Sequence, residues 1–306
     1  MKNVLVIHFS QSGQLTEIVN NISQPLSGEA NITHLKLEME TNFPFPWPRA
    51  EFYGAFPETY LQIPAKLKPI PQDILEKKYD LILLGYQVWY LTPSVPINSF
   101  LHSEEAKKLL ANTPVITVIG CRNMWIMAQE KIKKLLKNCK AQLVGNIALV
   151  DRHINHVSVI TIAHWMFTGV KKRFLGIFPK PGVSQKDIDD ATKFGRVILP
   201  HLNSANYSTL QKELLDKGAV KIKPFLITVD KRANVIFGKW ANFIHSKSEK
   251  GENKRSLLIK FFNFYLIFAI WVMAPIVFII FLLTYLPLWG KIKKEKQYFS
   301  SVVIKE

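Results

Sequence analysis

The sequence predicts an α/β domain: a five-stranded parallel sheet with helices on both faces, three layers in all, followed by a C-terminal hydrophobic membrane segment. Short β-branched runs alternate with stretches of helical period through residue 150, the pattern of βαβ units. A capped helical pattern over Ser184–Leu199 closes the alternation. Phe261–Trp289 then holds 29 residues without a charged side chain, more than the roughly 20 needed to cross a hydrocarbon core.

Val4–Phe9 is a continuous apolar run with one His and reads as a buried parallel strand. Met1-Lys2-Asn3 leads straight into it, and the run is too short for the apolar region of a signal peptide. Ser10–Gly13 is a turn, and Leu15, Ile18, Val19 and Ile22 stand at helical spacing after it. Ile32–Leu37, Tyr79–Leu84, Val115–Ile119 and Leu143–Val150 read as the other four strands. Helices are expected after Pro93 and Pro96 and over Ile126–Leu136. Ser184, with Asp187 three residues on, is close to a capping box.

Two insertions interrupt the plan. Residues 41–71 are rich in Pro and aromatics without clear periodicity, and 151–183 are apolar with His, Trp and the basic run Lys171-Lys172-Arg173. The second reads equally as a membrane-contacting element or as ordinary packing on the sheet. Leu210–Leu215 is a short helical pattern, Val220–Val229 and Val235–Phe237 suggest a small hairpin around Asp230–Asn234, and Ser246–Lys254 looks like a linker. The expected organisation is a main domain over 1–200, a small basic extension and linker over 201–256, a membrane anchor over 257–290 and a basic tail over 291–306. Pro275 divides the anchor, and basic residues flank both ends, so a tilted span and a re-entrant hairpin bent at Pro275 are both open; the charge symmetry favours the hairpin slightly.

The 306 residues carry 40 Lys+Arg against 23 Asp+Glu, a net charge of +17. Residues 1–150 account for +3 and residues 151–306 for +14. Basic groups beside a lipid-like segment point to anionic membrane lipids rather than nucleic acid. Two cysteines, Cys121 and Cys139, exclude a disulfide framework and a four-cysteine zinc site, and no metal is expected; His156 and His164 without carboxylates are weak ligands.

The turn Ser10-Gln11-Ser12-Gly13-Gln14-Leu15-Thr16 lies between a strand and a helix, where free N–H groups and the helix dipole favour an anion. It has no Lys, so it is not a P-loop, and it reads alternatively as a simple cap. Two more loops follow strands at their C-terminal ends, where open α/β sheets bind ligands. Gly85-Tyr86-Gln87-Val88-Trp89-Tyr90-Leu91-Thr92-Pro93 offers aromatic rings, and Gly120-Cys121-Arg122-Asn123-Met124-Trp125 offers N–H groups and a cation.

With this ordered set the sequence resembles the flavodoxin-like flavoproteins over about 1–150 and the helix at 184–199. The resemblance implies FMN: Ser10, Ser12, Gly13, Gln14 and Thr16 facing the phosphate, Gln87, Val88, Trp89 and Tyr90 lining one side of the ring, and Cys121, Arg122 and Asn123 at its pyrimidine edge. One departure is that Leu15 stands where the family often places Thr, which comes one residue later as Thr16. More narrowly, Val-Leu-Val-Ile-His-Phe-Ser-Gln-Ser-Gly-Gln at the start, the aromatic loop and the hydrophobic tail resemble the dialkylresorcinol condensing enzymes of bacterial pigment pathways. Their implied role is oxidative aromatisation of a lipophilic cyclohexanedione-type precursor. The expected location is the cytoplasmic face of the inner membrane, where both flanks of the anchor stay in the hairpin case.

His153, in Asp151-Arg152-His153 after the fifth strand, is the first candidate base, and Tyr90 is a candidate donor to a substrate carbonyl. An NAD(P)H-dependent quinone or FMN reductase fits the same residues with electrons flowing the other way. A non-catalytic electron carrier or membrane scaffold is the alternative of another class, and homo-oligomerisation stays open.

Overall fold

Val4, Leu5, Val6 and Ile7 have no exposed surface, and a strand covered on both faces has no polar alternation to make. They form the centre of β1 (Lys2–His8). The computed structural model describes residues 1–305. In it β2 (Ala30–Lys36), β3 (Leu81–Tyr86), a two-residue hairpin of β4 (Val88–Trp89) and β5 (Thr92–Pro93), β6 (Pro114–Cys121) and β7 (Gln142–Val150) follow in sequence. The main sheet has the order β2-β1-β3-β6-β7 and every pair is parallel. This is the flavodoxin-like order, which reverses direction between β1 and β3.

Helices flank the sheet. In α1 (Gln14–Ser23), Leu15, Ile18, Val19 and Ile22 are buried at the spacing that put them on one face. The 41–71 insertion folds as α2 (Arg49–Gly54) and α3 (Phe56–Tyr60), and α4 (Gln72–Glu76) precedes β3. Next come α5 (Val95–His102), α6 (Glu104–Leu110) and α7 (Ile126–Asn138). After β7, α8 (Asn155–Thr168) occupies the second insertion. The expected closing helix is two, α9 (Gln185–Asp189) and α10 (Thr192–Ser204). Ser184 caps the first, its Oγ accepting from the Asp187 N–H at 3.1 Å. The short α11 (Leu210–Asp216) covers β7.

The hairpin expected around Asp230–Asn234 is not formed. Residues 224–247 make one helix, α12 (Pro224–Lys247), with Pro224 in its first turn, where a missing N–H costs nothing. The β-branched residues read as strand are overridden by tertiary burial at helical spacing: Ile227, Asp230, Ala241 and Ile244 face inward. Asp230 is the decisive residue, because its carboxylate accepts from the Ile126 N–H (2.9 Å) and the Met127 N–H (3.3 Å), capping α7 from outside its own chain segment.

After a short link, α13 (Asn253–Phe268), a π-type turn at Ala269–Met273 and α14 (Ala274–Phe299) run as one helical segment, long and apolar enough to cross a membrane by length and composition. Its most apolar stretch is not buried against the chain. Helical hydrogen bonding continues past Pro275, which stands in the first turn of α14, so there is no chain break at the proline. Both ends of the segment are held by the same domain. At one end Phe262 stacks on Phe56 with ring centres 3.9 Å apart and Arg255 pairs with Glu58 at 2.6 Å. At the other, Tyr298 donates to Glu130 at 2.5 Å, Phe299 enters the main core and Gln211 donates to the Ser300 carbonyl at 2.8 Å.

Candidate cofactor-binding cleft

The loops that follow β1, β3 and β6 meet at the switch point of the sheet. Ser12, Gln14, Gln87, Val88, Trp89, Cys121 and Arg122 line one cleft there. Gly13 sits between two of them at φ +88°, with nothing within 4 Å of where a Cβ would stand. It is the N-cap of α1 and no side chain caps the helix. The N–H groups of Ser12, Gly13 and Gln14 find no acceptor among the described residues, which leaves a helix start with unspent donors facing open space.

The rest of the loop is tied down. Ser10 is buried and its Oγ accepts from the Leu15 N–H at 3.2 Å, so it serves the turn rather than the cleft. Gln11 N–H donates to Gln87 Oε1 at 3.0 Å and its side chain donates to the Pro44 carbonyl at 2.9 Å, joining the β1 loop to the β3 loop and to the first insertion. Gln14 pairs its side-chain amide with the backbone of Val183 in both directions, at 2.9 and 3.2 Å. Its side chain is therefore spent, and only its N–H is free for an anion.

Thr16 does not face the cleft. It lies one residue beyond Leu15, whose side chain packs over Gly120, and so about 100° further round the helix. Its Oγ1 is 3.1 Å from His8 Nε2, in a separate groove. Burial, with His34 and Lys36 nearby, lowers the pKa of His8 to about 4.

Tyr90 is also turned away. Tyr90 and Leu91 both have left-handed backbone, φ 49° and 65°, and the turn sends the ring into the first insertion. There it packs on Phe52 (5.0 Å) and Phe56 (5.5 Å), and its hydroxyl donates to the Phe52 carbonyl. Burial raises this phenol well above its ordinary pKa. A phenol held this way neither lines the cleft nor offers a proton to it. Trp89 keeps a face on the cleft while its ring packs among Phe9, Phe43 and Trp47 at 5.9, 5.0 and 4.8 Å.

At the β6 end, burial pushes the Cys121 thiol up, so it stays neutral. Burial brings Arg122 down to about 10, which leaves it cationic at neutral pH. Arg122 donates to Asn155 Oδ1 at 3.1 Å, and Asn123 donates to the same oxygen at 2.9 Å. Arg122 lines the cleft and Asn123 does not. Trp125 turns into the core.

His153 is oriented but stands outside the cleft lining. Its Nδ1 is 2.6 Å from Asp151 Oδ1, and the second carboxylate oxygen accepts from Ser158 Oγ at 2.7 Å. Asp151 is 1% exposed, and its N–H donates to the Cys121 carbonyl at 3.1 Å, which places the pair beside the β6 loop. His156 and His164 go separate ways: the first reaches the Ile270 carbonyl and the second stacks on Phe174 at 4.4 Å.

The sequence did not reveal the cover. Phe45, Ile162, Trp165 and Met166 close the cleft from the first insertion and α8, with Gly182 and Val183 beside them. Phe45 meets Trp165 edge-on at 5.7 Å. The space between them is about 150 Å³, below the roughly 300–1,000 Å³ of small-molecule sites. The donors at Ser12–Gln14 and the cation at Arg122 suit a phosphate-bearing ligand.

A parallel sheet of this order with an anion-ready turn at its switch point defines a flavodoxin-like α/β protein. No protein-family model matches the chain, and no curated protein matches it. Among solved structures it is similar to a flavoprotein in complex with FMN from Lactobacillus acidophilus NCFM, at 15% identity over 48% of this chain and 92% of that one, TM-score 0.39. It is also similar to a flavodoxin from the domain Archaea, at 11% identity over 66% and 99%, TM-score 0.36. Oxidised flavodoxin 1 from Bacillus cereus is similar at 15% identity over 65% and 99%, TM-score 0.35. Likenesses this remote assign no activity.

Proposed function

We propose that the chain is an FMN-dependent oxidoreductase held at a membrane surface and acting on a lipophilic ring compound. The observation that carries the reading is the set of unspent N–H groups at Ser12, Gly13 and Gln14, opening into a cleft shared with the β3 and β6 loops. These groups would hold the phosphate, with Trp89, Val88 and the Arg122 cation available to the rest of the cofactor. Bound there, FMN supplies a two-electron acceptor for hydride.

The chain's own residues do the rest. Trp165 and Met166 exclude water from the cleft. Asp151 holds Nδ1 of His153, which leaves Nε2 as the proton acceptor for a substrate that extends toward β7. Aromatisation of a cyclohexanedione-type ring is the proposed reaction: one ring carbon gives up hydride, and a neighbouring position gives up the proton.

The membrane part of the reading is supported by the exposed face of α13 and α14, where Phe264, Leu283 and Leu286 are each more than 70% exposed. Both ends of the segment are fastened to one domain, which favours a re-entrant course over a single span.

Purified protein in detergent is expected to be yellow, or to turn yellow on adding FMN. Anaerobic addition of the cyclic precursor is expected to bleach it. Bleaching by NADPH alone would instead assign a quinone reductase. A preparation that takes up no FMN would refute the cofactor and leave a membrane scaffold.

A further inference from the structure

Helices α12 and α14 enclose a groove of about 210 Å³ that changes character along its length. Ile280 and Phe281 line one end; Lys231, Arg232, Lys291 and Glu295 line the other. Lys231 is fixed 2.7 Å from the Glu295 carboxylate. Neither Arg232 nor Lys291 forms an ion pair among the described residues. Three cations against one carboxylate leave an excess of two positive charges at that end. Along α14 the charge-free stretch ends at Trp289 and Lys291 is the first cation after it, so the boundary between hydrocarbon and headgroup depth falls inside the groove. A small soluble anion has no use for the apolar end, and an apolar helix has none for the cations.

We propose that this groove binds one anionic phospholipid, its phosphate held by Arg232 and Lys291 and an acyl chain lying along Ile280 and Phe281. Guanidinium and ammonium groups beside a membrane-embedded helix are suited to such headgroups. The proposal rests on the membrane reading above and adds a discrete site to it.

The test reconstitutes the full chain in phosphatidylcholine nanodiscs containing a minor fraction of phosphatidylglycerol. The lipids that stay bound after transfer to detergent are counted by native mass spectrometry. The expected result is retention of phosphatidylglycerol, reduced at least tenfold in Arg232→Ala/Lys291→Ala. The control Lys239→Ala/Lys247→Ala, which removes two exposed charges from α12 outside the groove, is expected to retain it. Circular dichroism shows whether each variant is folded, and Arg232→Gln alone serves if the double variant is not. Equal loss in both double variants would mean diffuse attraction and overturn the site. Displacement of the lipid by millimolar inorganic phosphate would assign the cations to a free anion and overturn it too. Failure to enter these nanodiscs would sink the membrane reading itself, an outcome distinct from entry without phosphatidylglycerol preference, which overturns the site alone.

Discussion

His156 Nε2 lies 3.0 Å from the carbonyl oxygen of Ile270, so the helix that covers the cleft and the apolar segment share a hydrogen bond. The reason is in the sequence of the segment. In the π-type turn at Ala269–Met273 a carbonyl looks five residues ahead for its donor, and five ahead of Ile270 stands Pro275, which has no N–H. His156 supplies the missing proton, and the Trp271 ring packs 5.2 Å from the imidazole. His156→Phe is expected to lose about 1–3 kcal/mol in urea unfolding followed in detergent micelles, the cost of an orphaned acceptor. Adding Pro275→Ala restores a local N–H and is expected to recover part of that loss. Two variants that unfold like the wild type would show that the bond does not couple the elements.

Gly13 is the backbone on which the anion site depends. At φ +88° an L side chain costs about 1–2 kcal/mol, yet open space surrounds the position, so no clash adds to it. Gly13→Val is expected to weaken FMN uptake at least tenfold, read by quenching of flavin fluorescence, because the branched side chain shields the neighbouring N–H groups. Gly13→Asn, which tolerates the left-handed region, is expected to keep most of the affinity. Wild-type uptake by the valine variant would rule out this turn as the cradle.

Tyr90 and His153 separate what the residue types suggest from what the fold allows. Tyr90→Phe removes only the bond to the Phe52 carbonyl. It is expected to cost about 1 kcal/mol of stability and to leave flavin uptake and turnover unchanged. His153→Gln is expected to keep flavin uptake and to slow substrate-dependent bleaching by about 10²–10⁴, measured by anaerobic stopped flow. A turnover defect in the tyrosine variant, or none in the histidine variant, would reverse these roles.

The sheet was legible because burial on both faces leaves a mark in sequence: Val4–Ile7 and Leu81–Leu84 are unbroken apolar runs. The loops at its crest were legible because Gly13 and Gly120 stand where strand patterns end. Side-chain direction was not. Thr16 lies on the correct helix but 100° from the cleft, and two left-handed residues at Tyr90–Leu91 redirect a ring that spacing alone places inward. The cover was hidden as well, because the pairing of Gln14 with Val183 joins residues 169 positions apart. The hairpin expected at 220–237 failed for a related reason: a polar Asp230 reads as turn until α7 is seen to need its cap.

Asp230 gives a pH signature. Burial raises its carboxyl to about 7 despite the two N–H groups it accepts. The folded state therefore holds a proton that the unfolded chain releases near 3.8, so this group's contribution to stability falls as pH rises from about 4 to 7. His8 acts in the opposite sense: its lowered pKa means the unfolded chain binds the extra proton, and stability falls as pH drops from 6.5 toward about 4. The two partly cancel in the wild type. Asp230→Asn keeps an acceptor for Ile126 and removes the titration. Its stability, measured by urea unfolding between pH 4 and 7.5, is expected to fall toward acid more steeply than that of the wild type. Parallel profiles would mean that the Asp230 carboxyl is not perturbed.

Arg255 and Glu58 decide whether the base of the apolar segment stays docked. The guanidinium, 5% exposed, reaches both carboxylate oxygens at 2.7 and 2.6 Å, beside the stacked rings of Phe56 and Phe262. Breaking a buried pair from one side costs roughly 3–5 kcal/mol because the other charge is stranded. Glu58, with its side chain 16% exposed, recovers some hydration, so Arg255→Met is expected at the lower end of that range. His245 lies 3.8 Å from the same carboxylate, at the edge of the pair. Arg255→Met/Glu58→Gln removes both charges and is expected to regain most of the loss, since a neutral pair strands nothing. Limited proteolysis in the link at 248–252 reports the same event, with faster cleavage in the single variant and near wild-type cleavage in the double. A double variant no more stable than the single would mean that the ion pair is incidental and that the ring stack alone fastens the segment.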